Sequence, residues 1–589
     1  MGTTRLLALL LACSSALVFG LIVPPRQQPL TLTTPRNDYL PWDTPPSDNQ
    51  TDNLIFFRLA TLLQHWPNTR YPSGQSVVLG TVPVGTTLYH GRPDSGIPTR
   101  PDWLAFDPEH SLIFVFSEKS RLSTFVTTRP LRILYFDGSS AAKMSSGAMD
   151  TQDLLAWGKI RNDTMEAEPD RIVDLCKWGQ RFGIDGFVRM EMSFEIMHCN
   201  FSQGLELVSS LHLIPTDLGS APPGGGRKSP SGPDTLRNLP DLTMPPPPKI
   251  PDETKLDNLP PIPTRHPRPP GHPPVFPLPE PRPPNWKGPL PTAEGRVFEV
   301  FQAGSWHNRA PGEVRVKLDA ARMVSIYDPA LSSGVGTRSG KEKVLHRANG
   351  ISDEDISTWK GWIENILRED APAPSGIDWP ALATVIMDRY GGRLEYLQFL
   401  LDPSRVSQNA TAVVQDVRAQ LMLMLVTEIT PDYLPDFTLS TSAPRPSQTG
   451  NHSWVEPIAA HCASFLVSHL SKDKMTREER TLQNAIMGTQ AEICRVLSLL
   501  WAEAYDPPTA QAKEMAGSWK KRVDELMGWL DWPMWNRCKP ECSLDTMCFI
   551  PTWPMGIGQP GRPGPPSSEE DLSMIDWTPK CIARGKFLV

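Results

Sequence analysis

After Leu21 the 589-residue chain has no unbroken apolar run of 18 residues, the length needed to cross a bilayer. That absence leaves no integral membrane segment once a leader is removed. A basic excess is missing too: 58 Lys and Arg stand against 65 Asp and Glu, a net charge of −7. No global field gathers nucleic acid or anionic lipid, so a nucleic-acid partner is not expected. The GxSxG elbow, the Walker loop, the Rossmann glycine fingerprint and the HExxH helix are all lacking. No histidine follows His469. The common signatures of serine hydrolases, P-loop NTPases and zincins are thereby missing, and no metal site is expected.

What the chain has in excess is proline, 64 residues, about twice the usual share. Twenty-five of them fall among the 71 residues from Ala221 to Pro291, together with Gly224-Gly-Gly226. Such a segment buries too little apolar area to offset chain entropy, and reads as a polyproline-II-rich spacer. The length itself exceeds one hydrophobic core. The expected organisation is a signal peptide over 1–20, a disordered lead over 21–53 and a mixed α/β domain over 54–216. A disordered Pro-rich linker follows over 217–295, then a mainly α-helical region over 296–531 and a disulfide-rich tail over 532–589.

Short β-type runs at Ser76–Leu79, Thr87–His90, Ser111–Phe116 and Leu131–Phe136 predict strands. Gly186–Met192 and Leu205–Ile214 read the same way, after a helix over Glu168–Phe182. Beyond the linker, Val297–Phe301 and Val314–Leu318 look like two more strands. Ser352, three residues before Asp355, opens a helix over Glu354–Arg368 in the manner of a capping box. Asp378 before Trp379-Pro380 opens another, expected to stop at Gly391-Gly392. Further helices are predicted at Arg393–Leu401, Thr411–Glu428, Pro457–Leu470, Glu478–Ala504 and Ala510–Trp529.

Compartment is read from both the leader and the cysteines. One positive charge in Met1–Arg5 precedes apolar and small residues from Leu6 to Leu21, with Ala16, Val18 and Gly20 as cleavage options. This is the tripartite signal-peptide pattern, with an uncleaved signal anchor as the other reading. Eight cysteines remain after Cys13: Cys176, Cys199, Cys462, Cys494, Cys538, Cys542, Cys548 and Cys581. An even number in an oxidising compartment implies disulfides, paired locally within an early, a helical and a tail group. The spacing Cys538-x3-Cys542-x5-Cys548 also admits zinc. Five sequons, at Asn49, Asn162, Asn200, Asn409 and Asn451, are N-glycosylation acceptors. The expectation is a secreted protein or one of the secretory lumen.

Candidate chemistry is sparse. His461 and His469 fall eight apart on one predicted helix and read as structural residues. Asp353-Glu354-Asp355 complements a helix dipole. Trp529, Trp532 and Trp535 recur every three residues and read as packing anchors beside the tail. Gly85-Thr-Thr-Leu-Tyr-His-Gly91 places His90 at a strand end, and Pro101–His110 opens a second strand and a helix. Together these segments resemble the opening of the ADP-ribosyltransferase-like fold, whose histidine-containing branch carries a Leu-Tyr-His-Gly strand. The resemblance implies NAD as cofactor and His90 as the hydrogen bond to the nicotinamide-side ribose. It further implies Trp103 or Phe106 as the stacking aromatic and Glu191 or Glu195 as the late-strand glutamate. Arg92 stands where that family has Thr or Ser, and its usual tyrosine is missing.

A longer run covers Arg129–Gly138, Ser139–Lys143, Asp150–Asp153, Asp174–Gly179 and Asp185–Glu191. It looks like an uncharacterised family of secretory-pathway proteins from filamentous fungi, which implies no particular activity. Arg129, Arg132, Asp137, Arg189 and Glu191 flank apolar strands there, as a cleft needs and as a half-exposed sheet also needs. The leading expectation is an exported, glycosylated, non-enzymatic binding or structural protein with no cofactor and an unknown partner. The alternative is an ADP-ribosyltransferase-like enzyme, with His90 and Glu191 catalytic and with His90, Trp103 and Phe106 around NAD.

Overall fold

The computed structural model describes residues 42–94, 96–115, 120–144, 146–161, 167–214, 287–435, 452–505, 511–552 and 575–584. The segments expected to be a leader and, as far as residue 286, a Pro-rich spacer, together with the sequons at Asn162 and Asn451, lie outside the described residues. The N-terminal part is α/β and the C-terminal part mainly helical.

The chain opens with helices α1 (Asp52–Ala60) and α2 (His65–Arg70). Strands β1 (Ser76–Val82), β2 (Thr87–Arg92) and β3 (Asp102–Ala105) follow, then the short α3 (Pro108–Leu112). Next come β4 (Arg121–Thr127), β5 (Leu131–Phe136), α4 (Asp150–Trp157) and α5 (Glu168–Gln180). The N-terminal part closes with β6 (Gly186–Met190), β7 (Phe194–His198) and β8 (Leu205–Leu211). After the spacer come α6 (Ala293–Ala303), β9 (Lys317–Ser325) and α7 (Ser332–Gly336). Six helices complete the region: α8 (Asp353–Leu367), α9 (Trp379–Leu400), α10 (Pro403–Leu425), α11 (Glu456–Ser464), α12 (Arg477–Tyr505) and α13 (Ala512–Leu530). The tail carries the two-stranded pair β10 (Thr546–Phe549) and β11 (Lys580–Ala583).

Nine strands form one sheet in the order β8-β4-β2-β3-β7-β6-β5-β1-β9. Only β5 and β6 pair in parallel; the other neighbours are antiparallel. Leu131–Phe136 and Gly186–Met190 are almost wholly buried, as strands covered on both faces must be. Alternation sorts their side chains. Val78, Ile133, Tyr135, Val188 and Ile196 enter a core shared with α1 and with α9 to α13. Val77, Leu134, Phe136, Phe187 and Met197 face the other way, onto α4, α5 and α8. The sheet is therefore the middle of three layers, and α12 packs on α1, α10, α11 and α13 beneath it.

That arrangement joins the stretches on either side of the spacer. β9 pairs antiparallel with β1, Ser76 opposite Ser325 and Val77 opposite Val324. The α/β and helical parts, read from sequence as separate regions, share this sheet and one continuous core.

Several local expectations change. Val297–Phe301 lies in α6, because Thr292 caps Gly295 and the apolar side chains of Phe298 and Phe301 recur at helical spacing toward Met192 and Met547. The strand expected at Val314–Leu318 forms instead at Lys317–Ser325. The described part of Ser111–Phe116, as far as Val115, is not a strand: Pro108–Leu112 is helical, and the strand is Asp102–Ala105 just before it. Gly391-Gly392 does not end a helix. α9 runs through both, and the Gly391 carbonyl accepts from Trp535 Nε1 at 3.1 Å. A β-carbon on Gly391 would collide with the Met534 sulfur, so its absence serves close approach. Caps at Ser352 and Asp378 are as read: Ser352 Oγ accepts from Asp355 N, and Asp378 Oδ1 from Ala381 N.

All eight cysteines after Cys13 form disulfides: Cys176–Cys199, Cys462–Cys494, Cys538–Cys548 and Cys542–Cys581. Pairing is local within each group, and Cys462–Cys494 ties α11 to α12. Thiols consumed in this way cannot ligate zinc, which removes the zinc reading of Cys538, Cys542 and Cys548. Among the described residues no helix is long and apolar enough to cross a membrane.

Candidate functional site

The densest buried polar chemistry lies at the turn between β6 and β7, where Glu191, Met192 and Ser193 reverse the chain. The hairpin register sets Arg189 opposite Glu195, and Arg189 Nε donates to Glu195 Oε1 at 2.6 Å. Arg189 also donates to Glu168 at the start of α5. Arg171, one turn further, donates to Glu168 at 2.7 Å and to Asp153 of α4 at 2.8 Å. Asp153, Arg171, Glu168, Arg189 and Glu195 thus alternate in sign through the interior. Ions removed from water need such partners on every side.

The alternation ends on Glu191. Its carboxylate Oε1 lies 3.1 Å from His110 Nε2, and both side chains are buried. His110, Glu191 and Glu195 each offer a ligand-type atom, all within 4.8 Å of one another. Burial opposes charge on His110, but the Glu191 bond and the carboxylates of Glu191, Glu195 and Asp107 raise its pKa above the ordinary 6.5. Burial also raises Glu195, and the neighbouring Glu191 charge adds to this against the pull of Arg189.

A second group abuts the first. Ser193 Oγ donates to Asp107 Oδ2 at 3.0 Å, and Arg315 clasps Asp107 and both oxygens of Glu313. His307 Nε2 lies 3.5 Å from Asp107. Burial pushes Asp107 up, but His307 and Arg315 prevail and hold it at about 2. His65 lies between the groups, against Asn308 Oδ1 at 2.9 Å and the Glu191 carbonyl at 3.3 Å. Burial, with His307 nearby, pushes it down to about 4. Glu109, the residue before His110, lines a groove of about 420 Å³ together with Leu112, Ile214, Pro291, Arg296 and Glu299.

The residues singled out in the sequence divide between two places. His90 Nδ1 lies 2.7 Å from the Trp103 carbonyl, its Nε2 is 3.7 Å from Asp102, and its ring faces Phe201. It is 4% exposed, and burial lowers its pKa. Trp103 packs at a tilt on Phe114, whereas Phe106 is fully buried under the Arg315 guanidinium. Glu191 and Glu195 belong to the His110 cluster. His90 and Glu191 thus bond to different partners. Arg129 pairs with Asp185 at the surface, and Arg132 ties Phe182 to Leu367. Asp137 accepts from Gln75 N and Ser76 N beside Arg58, a structural role.

Sequence reasoning did not single out His65, Asp107, His110, Glu168, Arg171, His307, Glu313 or Arg315. One signal was present: Arg189 and Glu195 sit within two buried, largely apolar strands, and buried strands keep charges only where partners await them.

Residues 114–220 match the family described as the YPL277C N-terminal domain. The chain is 24% identical to the uncharacterised protein YOR389W of Saccharomyces cerevisiae, over 87% of its own length and 84% of the relative's. It is 33% identical to the uncharacterised protein YPL277C of the same yeast, over 28% of its own length and 44% of the relative's. These likenesses support an uncharacterised fungal family, and its matched segment carries Glu168, Arg171, Arg189, Glu191 and Glu195. No solved structure matches the chain.

Proposed function

We propose that the chain is an exported, N-glycosylated protein of the secretory route that binds or scaffolds a partner and does not use NAD. The pairing of all eight cysteines carries this reading, because disulfides persist in oxidising compartments and are rare in the cytosol. Asn49, Asn200 and Asn409 support it, since each described sequon asparagine is exposed as a glycan requires. The comparisons show no ADP-ribosyltransferase-like resemblance, and His90 and Glu191 engage different partners, which favours the non-enzymatic reading over the NAD one.

The test is expression of the full chain with its own leader in a fungal secretory host. Protein in the medium or the lumen, shortened in apparent mass by an endoglycosidase and free of titratable thiols, is the expected result. A cytosolic protein with reduced cysteines overturns the proposal. Titration of the same protein with millimolar NAD is expected to give no binding heat, and saturable binding lost in His90→Ala would restore the enzymatic reading.

A further inference from the structure

The geometry points to a divalent transition-metal site, of the zinc type, formed by His110, Glu191 and Glu195 at the β6–β7 turn. Three observations converge on it. The ligand-type atoms already lie within 4.8 Å of one another, and His110 Nε2 and Glu191 Oε1 are 3.1 Å apart. A tetrahedral ion with bonds of about 2.1 Å holds its ligands about 3.4 Å apart, so small side-chain rotations close the set. The second is charge. Glu191 and Glu195 are adjacent buried carboxylates, and the guanidinium beside them, Arg189, is already divided between Glu195 and Glu168. Glu191 has His110 as its ion partner. The third is burial: His110 is 1% exposed, and Glu191 and Glu195 are buried with it, so all three ligand-type groups are withdrawn from bulk solvent.

Two crowded buried carboxylates are costly as they stand. A divalent cation relieves that strain, since it neutralises the pair and takes the lone pair of His110 Nε2, the nitrogen that faces Glu191. One imidazole and two carboxylates suit zinc better than calcium, whose sites are built of oxygen. Arg189 and the His65 contact to the Glu191 carbonyl then act as the outer supports that orient the ligands. The neighbouring Asp107–His307–Glu313 group is a poorer site, because Arg315 already occupies both Glu313 oxygens and one Asp107 oxygen. This inference is independent of the proposed export.

The experiment uses the full chain, purified without a histidine tag, stripped with chelator and dialysed against zinc. Elemental analysis is expected to find one zinc per chain, and zinc is expected to raise the melting temperature of the wild-type protein. Glu191→Gln preserves shape and hydrogen bonding. It is expected to weaken zinc binding by about tenfold or more and to abolish the thermal shift, while its metal-free circular dichroism matches wild type. His110→Ala is expected to do the same, and His461→Ala to leave binding intact. Cobalt in place of zinc is expected to give visible absorption that Glu191→Gln removes. Wild-type protein that retains no metal overturns the proposal. So does binding insensitive to Glu191→Gln and His110→Ala, or binding lost only in His307→Ala.

Discussion

Ser76 and Ser325, 249 positions apart, lie opposite each other across β1 and β9, the Ser76 hydroxyl donating to the Ser325 hydroxyl at 3.1 Å. Every residue of the spacer falls between them, so the sheet closes only when both ends of the chain are present. Arg347 reaches back to Asp150 at 2.9 Å, and Arg296 to the carbonyls of Val115 and Ile214. None of the four disulfides links the two sides.

Residues 1–214 and residues 287–589, co-expressed as two chains that each carry the leader, should therefore assemble into one 1:1 particle without a covalent bond. Each half alone exposes the shared core and is expected to aggregate. Size-exclusion chromatography checks this, and two halves that stay soluble and monomeric apart would defeat it.

Gly391 and Gly392 make a paired test of helix packing. Gly391→Ala drives a methyl into Met534, whereas a methyl on Gly392 meets nothing within 4 Å. Gly392→Ala should stabilise by up to about 1 kcal/mol through helix propensity, and Gly391→Ala should gain less, because the Met534 thioether must move aside for the methyl. Urea unfolding of the two variants reads the difference. Equal effects would show that Met534 yields without cost.

What the sequence made legible was whatever local chemistry decides. Ser352 and Asp378 cap helices by contacts within three residues, and Leu131–Phe136 announces a doubly covered strand by its apolar run. Grouping along the chain gave the two pairs Cys176–Cys199 and Cys462–Cys494, and left the pairing of the four tail cysteines open. The Gly391-Gly392 stop was misread because its reason, Met534 and Trp535, lies more than 140 positions away. Val297–Phe301 was misread because five apolar-rich residues fit period two or 3.6 equally well, and the cap at Thr292 lay outside the run considered. The His110 cluster was hidden for a similar reason. It gathers residues from β3–α3, α4, α5 and the β6–β7 turn, and no spacing along the chain encodes that meeting.

Cys462–Cys494 closes a loop with a sequence separation of 32, tying α11 to α12 within the main core. Replacing both cysteines by alanine should cost about 2–4 kcal/mol, mostly through the greater freedom of the unfolded chain. Replacing Cys542 and Cys581, which tie the exposed tail pair, should leave the main unfolding transition near its wild-type midpoint. Calorimetry of the two double variants separates these outcomes. A larger loss from the tail pair would mean that the tail anchors the helical core.

His65 gives the fold an acid-labile point. Its ordinary pKa of 6.5 falls to about 4 in the folded chain, chiefly by burial and with His307 adding repulsion. The folded state thus prefers the neutral ring, so this stabilisation is complete above about pH 6.5 and is lost as pH falls toward 4. Its full size is about 3 kcal/mol. His110 works in the opposite direction: its raised pKa favours the charged ring, so its contribution is present at low pH and fades as pH rises past the folded value. The two are separable by variant. His65→Gln keeps a polar side chain toward Asn308 and the Glu191 carbonyl but removes the titration, so its stability should fall less than wild type between pH 6.5 and 4. Denaturant midpoints measured at half-unit steps across that window check the slope. Parallel curves for wild type and His65→Gln would show that the acid sensitivity arises elsewhere.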